Sequence, residues 1–101
     1  KNLINNTLVL IQKDYEAEAG STATFRCHAE HDLSLPLRIT WFKDGQYIHV
    51  NANNRFVQSS DHSLAITRTT EMDSGTYTCK VSKDSLSGFY SNPFLFFTFH
   101  F

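Results

Sequence analysis

The sequence lacks several features that would point to whole classes of protein. Its 101 residues include only two cysteines, four glycines and two prolines, and nine basic residues nearly balance ten acidic ones. A net charge of −1 gives no electrostatic basis for binding nucleic acid or an anionic membrane surface. No run of about 18 apolar residues is present, so we expect no membrane-spanning helix.

The chain also lacks an initiating methionine and the basic and apolar regions of a signal peptide. We therefore expect it to be a mature chain or a fragment of a longer one. Its length is that of one domain, which we expect to span residues 1–101. A domain of this size buries only about 60–70% of its extended-chain surface, so a covalent cross-link would help to stabilise it.

Side-chain arrangements that support catalysis or metal binding are missing as well. There is no G-x-S-x-G turn and no glycine-rich phosphate loop, and none of the segments expected to form strands carries a pair of carboxylates. His28 and His31 lie three residues apart at a strand end, where they would not converge on a metal ion. The other three histidines, His49, His62 and His100, lie in separate segments, and no cluster of carboxylates joins them. We expect no enzymatic activity, no cofactor and no metal site.

What the sequence does contain is alternation with a period of two, which is typical of half-buried strands. The alternating segments are 21–28, 38–43, 63–67 and 76–81, with shorter candidates at 8–11, 15–17, 46–49, 55–59 and 94–101. Asp44-Gly45 marks a hairpin turn, because glycine tolerates a positive φ. Residues 69–74 could form a single helical turn. Eight or nine short strands with frequent turns predict an all-β sandwich of two antiparallel sheets.

The two cysteines occupy matching positions in this pattern. Cys27 shares the apolar face of its segment with Phe25, and Cys79 shares that of its own segment with Tyr77. One inward cysteine on each of two packed sheets can form a disulfide between them. Closing a loop of about 50 residues stabilises a fold by about 4 kcal/mol in the chain-entropy model. Trp41 is expected to pack against this bond; the alternative is two unpaired buried thiols.

The segment leading into the second cysteine carries the strongest local pattern. It begins with Leu64-x-Ile66 and continues, six residues later, as Asp73-x-Gly75-x-Tyr77-x-Cys79. A tyrosine two residues before the second cysteine fits a tyrosine corner, in which the hydroxyl bonds to backbone a few residues upstream. We therefore place Trp41, Tyr77 and Leu64 in the structural core.

Taken together, Cys27, Trp41 and the Asp73-to-Cys79 motif resemble an immunoglobulin domain. Between Trp41 and Arg55 there is room for one small strand, which resembles the intermediate (I-type) set. The resemblance implies a Greek-key sandwich, and it implies that Arg55 pairs with Asp73.

A closer resemblance extends over about residues 8–83, which we take as the core of the domain, with the last strand at about 94–101. The motifs that carry it are A-G-S-T-A-T-F-R-C-H-A at 19–29, D-L-S-L-P-L-R-I-T-W at 32–41, D-G-Q-Y-I at 44–48 and Arg55-Phe56. They resemble the neural adhesion families of neuroglian, neurofascin and contactin. The resemblance implies an extracellular module of a cell-surface adhesion or recognition receptor. Such a module would act by protein–protein contact, with a receptor or with a second copy of itself as a homodimer.

Two other interpretations stay open at this point. The first is a structural module of an intracellular muscle protein, in which the thiols would often be reduced. The second is the ligand-binding domain of a signalling receptor, which only further sequence could establish. Asn5 begins an N-x-T tripeptide and would be a glycosylation site in a secreted protein.

The last expectation concerns the binding face. If Trp41 points inward, Phe42 points outward, on a sheet where an exposed aromatic residue could anchor a partner. In the last strand, residues 95, 97, 99 and 101 form a wholly apolar set, which we expect to face the core. Phe94 and Phe96 would then point outward and join Phe42 in an apolar patch that supports self-association.

Overall fold

The computed structural model describes residues 8–9, 13–27, 29–30, 38–51, 54–82 and 88–100. Within these residues, no helix has the length and apolar character needed to cross a membrane. Among the described residues, the one helical element is a 3₁₀ turn at Glu71–Asp73, inside the segment where a helical turn is predicted.

The described residues form eleven short strands. In chain order they are β1 (Leu8–Val9), β2 (Tyr15–Glu18), β3 (Ala23–Phe25), β4 (Ala29–Glu30), β5 (Arg38–Lys43), β6 (Gln46–Tyr47), β7 (Phe56–Gln58), β8 (Leu64–Ile66), β9 (Gly75–Ser82), β10 (Phe89–Tyr90) and β11 (Phe94–Phe99). Strand β10 has no counterpart among the segments predicted from the sequence. Cys27 lies just beyond the end of β3 rather than in the middle of a strand.

Two sheets pack face to face, as the alternation predicts. The larger has six strands in the order β2-β11-β9-β5-β6, with β10 also paired to β9, and the smaller has the order β3-β8-β7. Strand β1 pairs separately with β4. Most neighbours are antiparallel, but β2 runs parallel to β11. At the predicted hairpin between β5 and β6, Asp44 and Gly45 have φ values of 50° and 81°, which suits the two-residue turns of tight hairpins.

The core lies between the sheets and is rich in aromatic rings. Phe25 of the smaller sheet lies 4.9 Å from Tyr77 and 5.0 Å from Phe96, measured between ring centroids. Trp41 and Leu64 are also fully buried, as predicted. Aromatic pairs at these distances add about 0.5–1.5 kcal/mol beyond the area that they bury.

The prediction for the last strand is wrong. Phe94 and Phe96 are buried and face the core, whereas Leu95 and Phe97 are 46% and 40% exposed. Cross-strand pairing explains the reversal, because Phe94 lies opposite Tyr77 and paired residues project from the same face of a sheet. Since Tyr77 points inward, Phe94 must do so too. Phe99 is half-buried, and Phe101 lies outside the described residues.

Candidate protein interface

A disulfide joins the two sheets behind the candidate interface. Cys27 and Cys79 are bonded, with their Cα atoms 6.1 Å apart. Trp41 lies opposite Cys79 on the neighbouring strand, and its indole Nε1–H donates to the carbonyl oxygen of His62 at 2.9 Å. The predicted disulfide is therefore present beside the buried tryptophan.

Tyr77 closes the turn below the disulfide. Its hydroxyl donates to the backbone oxygen of Asp73 at 2.5 Å, four residues upstream, which is the geometry of a tyrosine corner. Burial raises the pKa of Tyr77 far above its ordinary value, and the nearby carboxylates of Asp73 and Asp44 add to the effect. The phenol therefore stays protonated and keeps donating at any physiological pH.

The carboxylate of Asp73 is held from two sides. Arg55 Nη2 pairs with Asp73 Oδ2, and the same oxygen accepts from the backbone N–H of Thr70 at 2.8 Å. Arg55 also donates through Nε to the carbonyl oxygen of Thr67 at 3.2 Å. The side chain of Asp73 is only 6% exposed, so this contact is structural rather than a binding site.

Phe42 projects to the opposite side of the larger sheet from Trp41, as predicted. Its ring lies 6.3 Å from that of Tyr47 and 5.8 Å from that of Tyr90, and it is half-buried between them. The ammonium of Lys80 lies 5.5 Å from the centroid of the Tyr90 ring, within range of a cation–π interaction. Tyr47 also contacts His49 at 4.7 Å between ring centroids. Phe42 is thus part of an aromatic cluster.

We call the solvent-facing side of the larger sheet the outer face. Its members, assigned from strand pairing, are Glu16, Glu18, Arg38, Thr40, Phe42, Tyr47, Thr76, Thr78, Lys80, Ser82, Tyr90, Leu95, Phe97 and Phe99. Four of its side chains are large, apolar and exposed: Tyr47 (52%), Tyr90 (59%), Leu95 and Phe97. Clustered exposed apolar side chains are typical of an interaction surface.

The predicted binding face therefore needs correction. From the sequence, Phe42, Phe94 and Phe96 were expected to lie together, but only Phe42 lies on the outer face. Tyr47 and Tyr90 take the place of the two core phenylalanines. Tyr47 could have been found from the Asp44-Gly45 turn, because the hairpin brings it opposite Phe42. Tyr90 could not, because its pairing with Lys80 depends on a strand that the sequence pattern does not mark.

Three of the five histidines lie in the described part of the chain, and their contacts are unrelated to one another. His49 packs on Tyr47, the carbonyl of His62 accepts from Trp41, and His100 Nε2 lies 3.3 Å from Glu71 Oε1. Within the described ranges, no group of three or more metal-ligating side chains comes together. His28, His31 and the Asn5 tripeptide lie outside the described residues.

Comparison with known proteins gives consistent results. The family model of the immunoglobulin domain matches residues 13–88. Neuroglian of Drosophila melanogaster is 52% identical over 67 residues, which cover 66% of this chain and 5% of neuroglian. Neurofascin of Gallus gallus is 33% identical over 72 residues, covering 71% of this chain and 5% of neurofascin.

Among solved structures, the tandem Ig repeats of Dlar superpose with a TM-score of 0.78 at 21% identity. The match covers 94% of this chain and 49% of that one, and at this identity it shows the fold alone. The chain thus spans only about a twentieth of the curated relatives that it matches. The match to the family model covers most of the chain and includes both cysteines, the tryptophan and the tyrosine corner. The chain therefore belongs to the immunoglobulin domain family, as a module similar to those of neuroglian and neurofascin.

Proposed function

We propose that this domain is an extracellular module of a cell-surface adhesion or recognition receptor and that it binds protein through the outer face. The observation that carries the proposal is the concentration of exposed tyrosine, leucine and phenylalanine on that one face. Tyrosine and phenylalanine are the side chains that anchor protein interfaces, because they bury a large area at little cost in conformational entropy.

The rigidity of the face supports a binding role. Strand β9 lies at the centre of the larger sheet, and the disulfide at Cys79 fixes its inner side to the smaller sheet. A rigid surface loses little conformational freedom on binding, so more of the contact energy appears as affinity. The domain acts by contact and performs no chemistry.

The similarity to neuroglian and neurofascin supports a place on the cell surface, as does the disulfide. Disulfides persist in oxidising compartments and are rare in the cytosol. In an intracellular muscle module the two thiols would often be reduced. Mass spectrometry of alkylated protein from the native cell distinguishes the two interpretations, since carbamidomethylated Cys27 and Cys79 would contradict an extracellular module. Glycosylation of Asn5 would be visible in the same measurement.

A bead assay tests the binding role. Fluorescent beads coated with the chain are offered to cells displaying neuroglian, to cells displaying neurofascin and to beads carrying the same chain. We expect adhesion to at least one of these surfaces and its loss in Tyr47→Ser/Tyr90→Ser. The matched control is Val57→Ser/Met72→Ser, which removes two exposed apolar side chains from other surfaces. Absence of adhesion to all three, or equal loss in both variants, would contradict the proposal.

A further inference from the structure

The charged residues of the outer face are arranged by sign. Arg38 and Lys80 lie towards one end, on β5 and β9, and Glu16 and Glu18 lie on β2 at the opposite end. The ion pairs seen among the described residues include Arg26–Asp61 and Arg55–Asp73, and His100 Nε2 lies within 3.3 Å of Glu71 Oε1. None of the four charged side chains of the outer face takes part in them.

Strand pairing gives the position of each charge along the sheet. Lys80 lies three residues from Tyr77 along β9, and Arg38, which pairs with Ser82, lies five residues from it. In the other direction, Phe96 pairs with Gly75, so Phe97 and its partner Glu16 lie three residues from the level of Tyr77. Glu18, the partner of Phe99, lies five residues from that level. Each basic residue therefore has an acidic counterpart at the same distance on the other side.

The apolar side chains lie between the two charged ends and beside the inner charged residue at each end. Phe42 lies one residue above the level of Tyr77 and Leu95 one below, since they pair with Thr78 and Thr76. Tyr90 lies three residues above this level and Phe97 three below. Moving outward from the level of Tyr77 in either direction, an apolar side chain comes first, and an apolar and a charged side chain then lie level with each other. A second charged side chain follows, and the sign of the charge is reversed between the two ends.

A surface with this pattern is complementary to itself. A two-fold axis across the strands at the level of Tyr77 exchanges the two ends of the face, and isologous interfaces have this symmetry. It brings Lys80 of one copy towards Glu16 of the other, and Arg38 towards Glu18. The axis must be tilted away from the perpendicular to the strands, because the acidic residues lie on β2 and the basic ones on β5 and β9. A partner of uniform charge would instead be repelled at one end.

We propose that a second copy of this chain binds the outer face, through a symmetric dimer in which Lys80 faces Glu16 and Arg38 faces Glu18. This inference rests on the proposed function, because it names the partner of the same face. At strand spacings of about 4.8 Å and about 3.3 Å per residue, the face measures roughly 20 by 33 Å. That is below the roughly 800 Å² per partner of a standard stable interface, so the dimer is weak and reversible.

Charge reversal tests the dimer directly. Glu16→Lys/Glu18→Lys makes the face wholly basic, and Arg38→Glu/Lys80→Glu makes it wholly acidic. Sedimentation equilibrium of the 101-residue chain at high micromolar concentration should show a reversible dimer. We expect each variant alone to dissociate at least about tenfold more readily, because like charges then face each other. The equimolar mixture should associate about as well as the unchanged protein, since every facing pair is again opposite in sign.

Arg26→Glu/Arg68→Glu is the matched control, because it changes the net charge by the same amount at exposed positions away from the outer face. It should leave the dimer intact, and an unchanged near-ultraviolet circular dichroism spectrum verifies that each variant is folded. A chain that stays monomeric, a dimer that tolerates both reversals, or a mixture that does not associate would overturn the inference. If the bead assay still showed adhesion to cells, the proposed function would stand and only the identity of the partner would be wrong.

Discussion

The two sheets share one core but differ on their solvent sides. On the smaller sheet, the outward residues paired across the strands are Thr24, Ala65 and Val57, of which only Val57 is a large apolar side chain. On the larger sheet, the outer face carries two exposed tyrosines, a leucine and a phenylalanine. Stability requires only the buried side of each sheet to be apolar, so the difference between the solvent sides indicates binding rather than folding.

Charge shows the same contrast. Beside the smaller sheet, Arg26 lies 3.5 Å from Asp61, so a positive charge has a negative partner within the domain. On the outer face of the larger sheet, no ion pair involves Arg38, Lys80, Glu16 or Glu18 among the described residues. This contrast is consistent with the proposal that the charges of the outer face meet those of a partner.

The largest effect should come from truncating the inner side of β11, and the comparison is with a truncation on its outer side. Phe96→Ala removes a fully buried ring that contacts Phe25 and Tyr77, and we expect it to lower the free energy of unfolding by about 3–5 kcal/mol. Phe97→Ala, one residue along, should change stability by less than about 1 kcal/mol but weaken binding. Urea denaturation of both variants measures the difference. Equal destabilisation would mean that β11 does not present one side to the core and the other to solvent.

The parts of the fold that could be predicted from sequence are those fixed by local spacing. Cys27, Trp41 and Cys79 lie on the inward phase of their own segments, and Tyr77 reaches backbone only four residues away. The pairing of Arg55 with Asp73 followed from family resemblance, because 18 residues separate them in the chain and no local pattern links them.

The phase of β11 could not be predicted from its own residues. Both of its sides carry phenylalanines, and counting side chains favoured Leu95, Phe97, Phe99 and Phe101 as the buried set. The outcome depends on register with β9, which places Phe94 opposite Tyr77, and register is a tertiary property. The side with Thr98 could still face inward, because Phe94 and Phe96 alone fill the space beside Phe25.

Removing the disulfide should have the next largest effect. Cys27→Ala/Cys79→Ala removes the cross-link that restricts the unfolded chain. We expect the free energy of unfolding to fall by about 2–5 kcal/mol. If the outer face depends on the rigidity of β9, association should also weaken in the folded fraction of this variant. Thermal unfolding followed by circular dichroism, with and without reducing agent on the unchanged protein, measures the first effect. Two titratable thiols in the folded, non-reduced protein would contradict the bond itself.

Two ion pairs should differ in the stability that is lost when each is broken, one with the buried carboxylate of Asp73 and one with the exposed carboxylate of Asp61. Asp73→Ala removes the carboxylate that pairs with Arg55 and accepts from Thr70 N–H. We expect a loss of about 2–3 kcal/mol, below that of a fully buried pair because Arg55 is 30% exposed. Arg26→Ala, which breaks the surface pair, should cost less than about 1 kcal/mol. Guanidinium denaturation of both variants checks the order, and a smaller effect for Asp73→Ala than for Arg26→Ala would contradict it.

The smallest effect concerns the pH response of Asp61. Its pKa lies below 3.8, first because the backbone N–H of Ser63 donates to its carboxylate at 3.0 Å, then because of the Ser63 hydroxyl, with Arg26 contributing less. A carboxylate whose pKa is lowered by folding stabilises the fold above its unfolded pKa, and this contribution disappears as the pH falls through the folded value. NMR titration of the Asp61 carboxyl should give a midpoint below 3.8. We expect Ser63→Ala to raise that midpoint more than Arg26→Ala does, because the lost hydroxyl contributes more than the exposed charge of Arg26, while the backbone N–H of residue 63 still donates. A larger rise in Arg26→Ala would mean that the ion pair, rather than the hydrogen bonds from Ser63, is the main cause of the lowered pKa of Asp61.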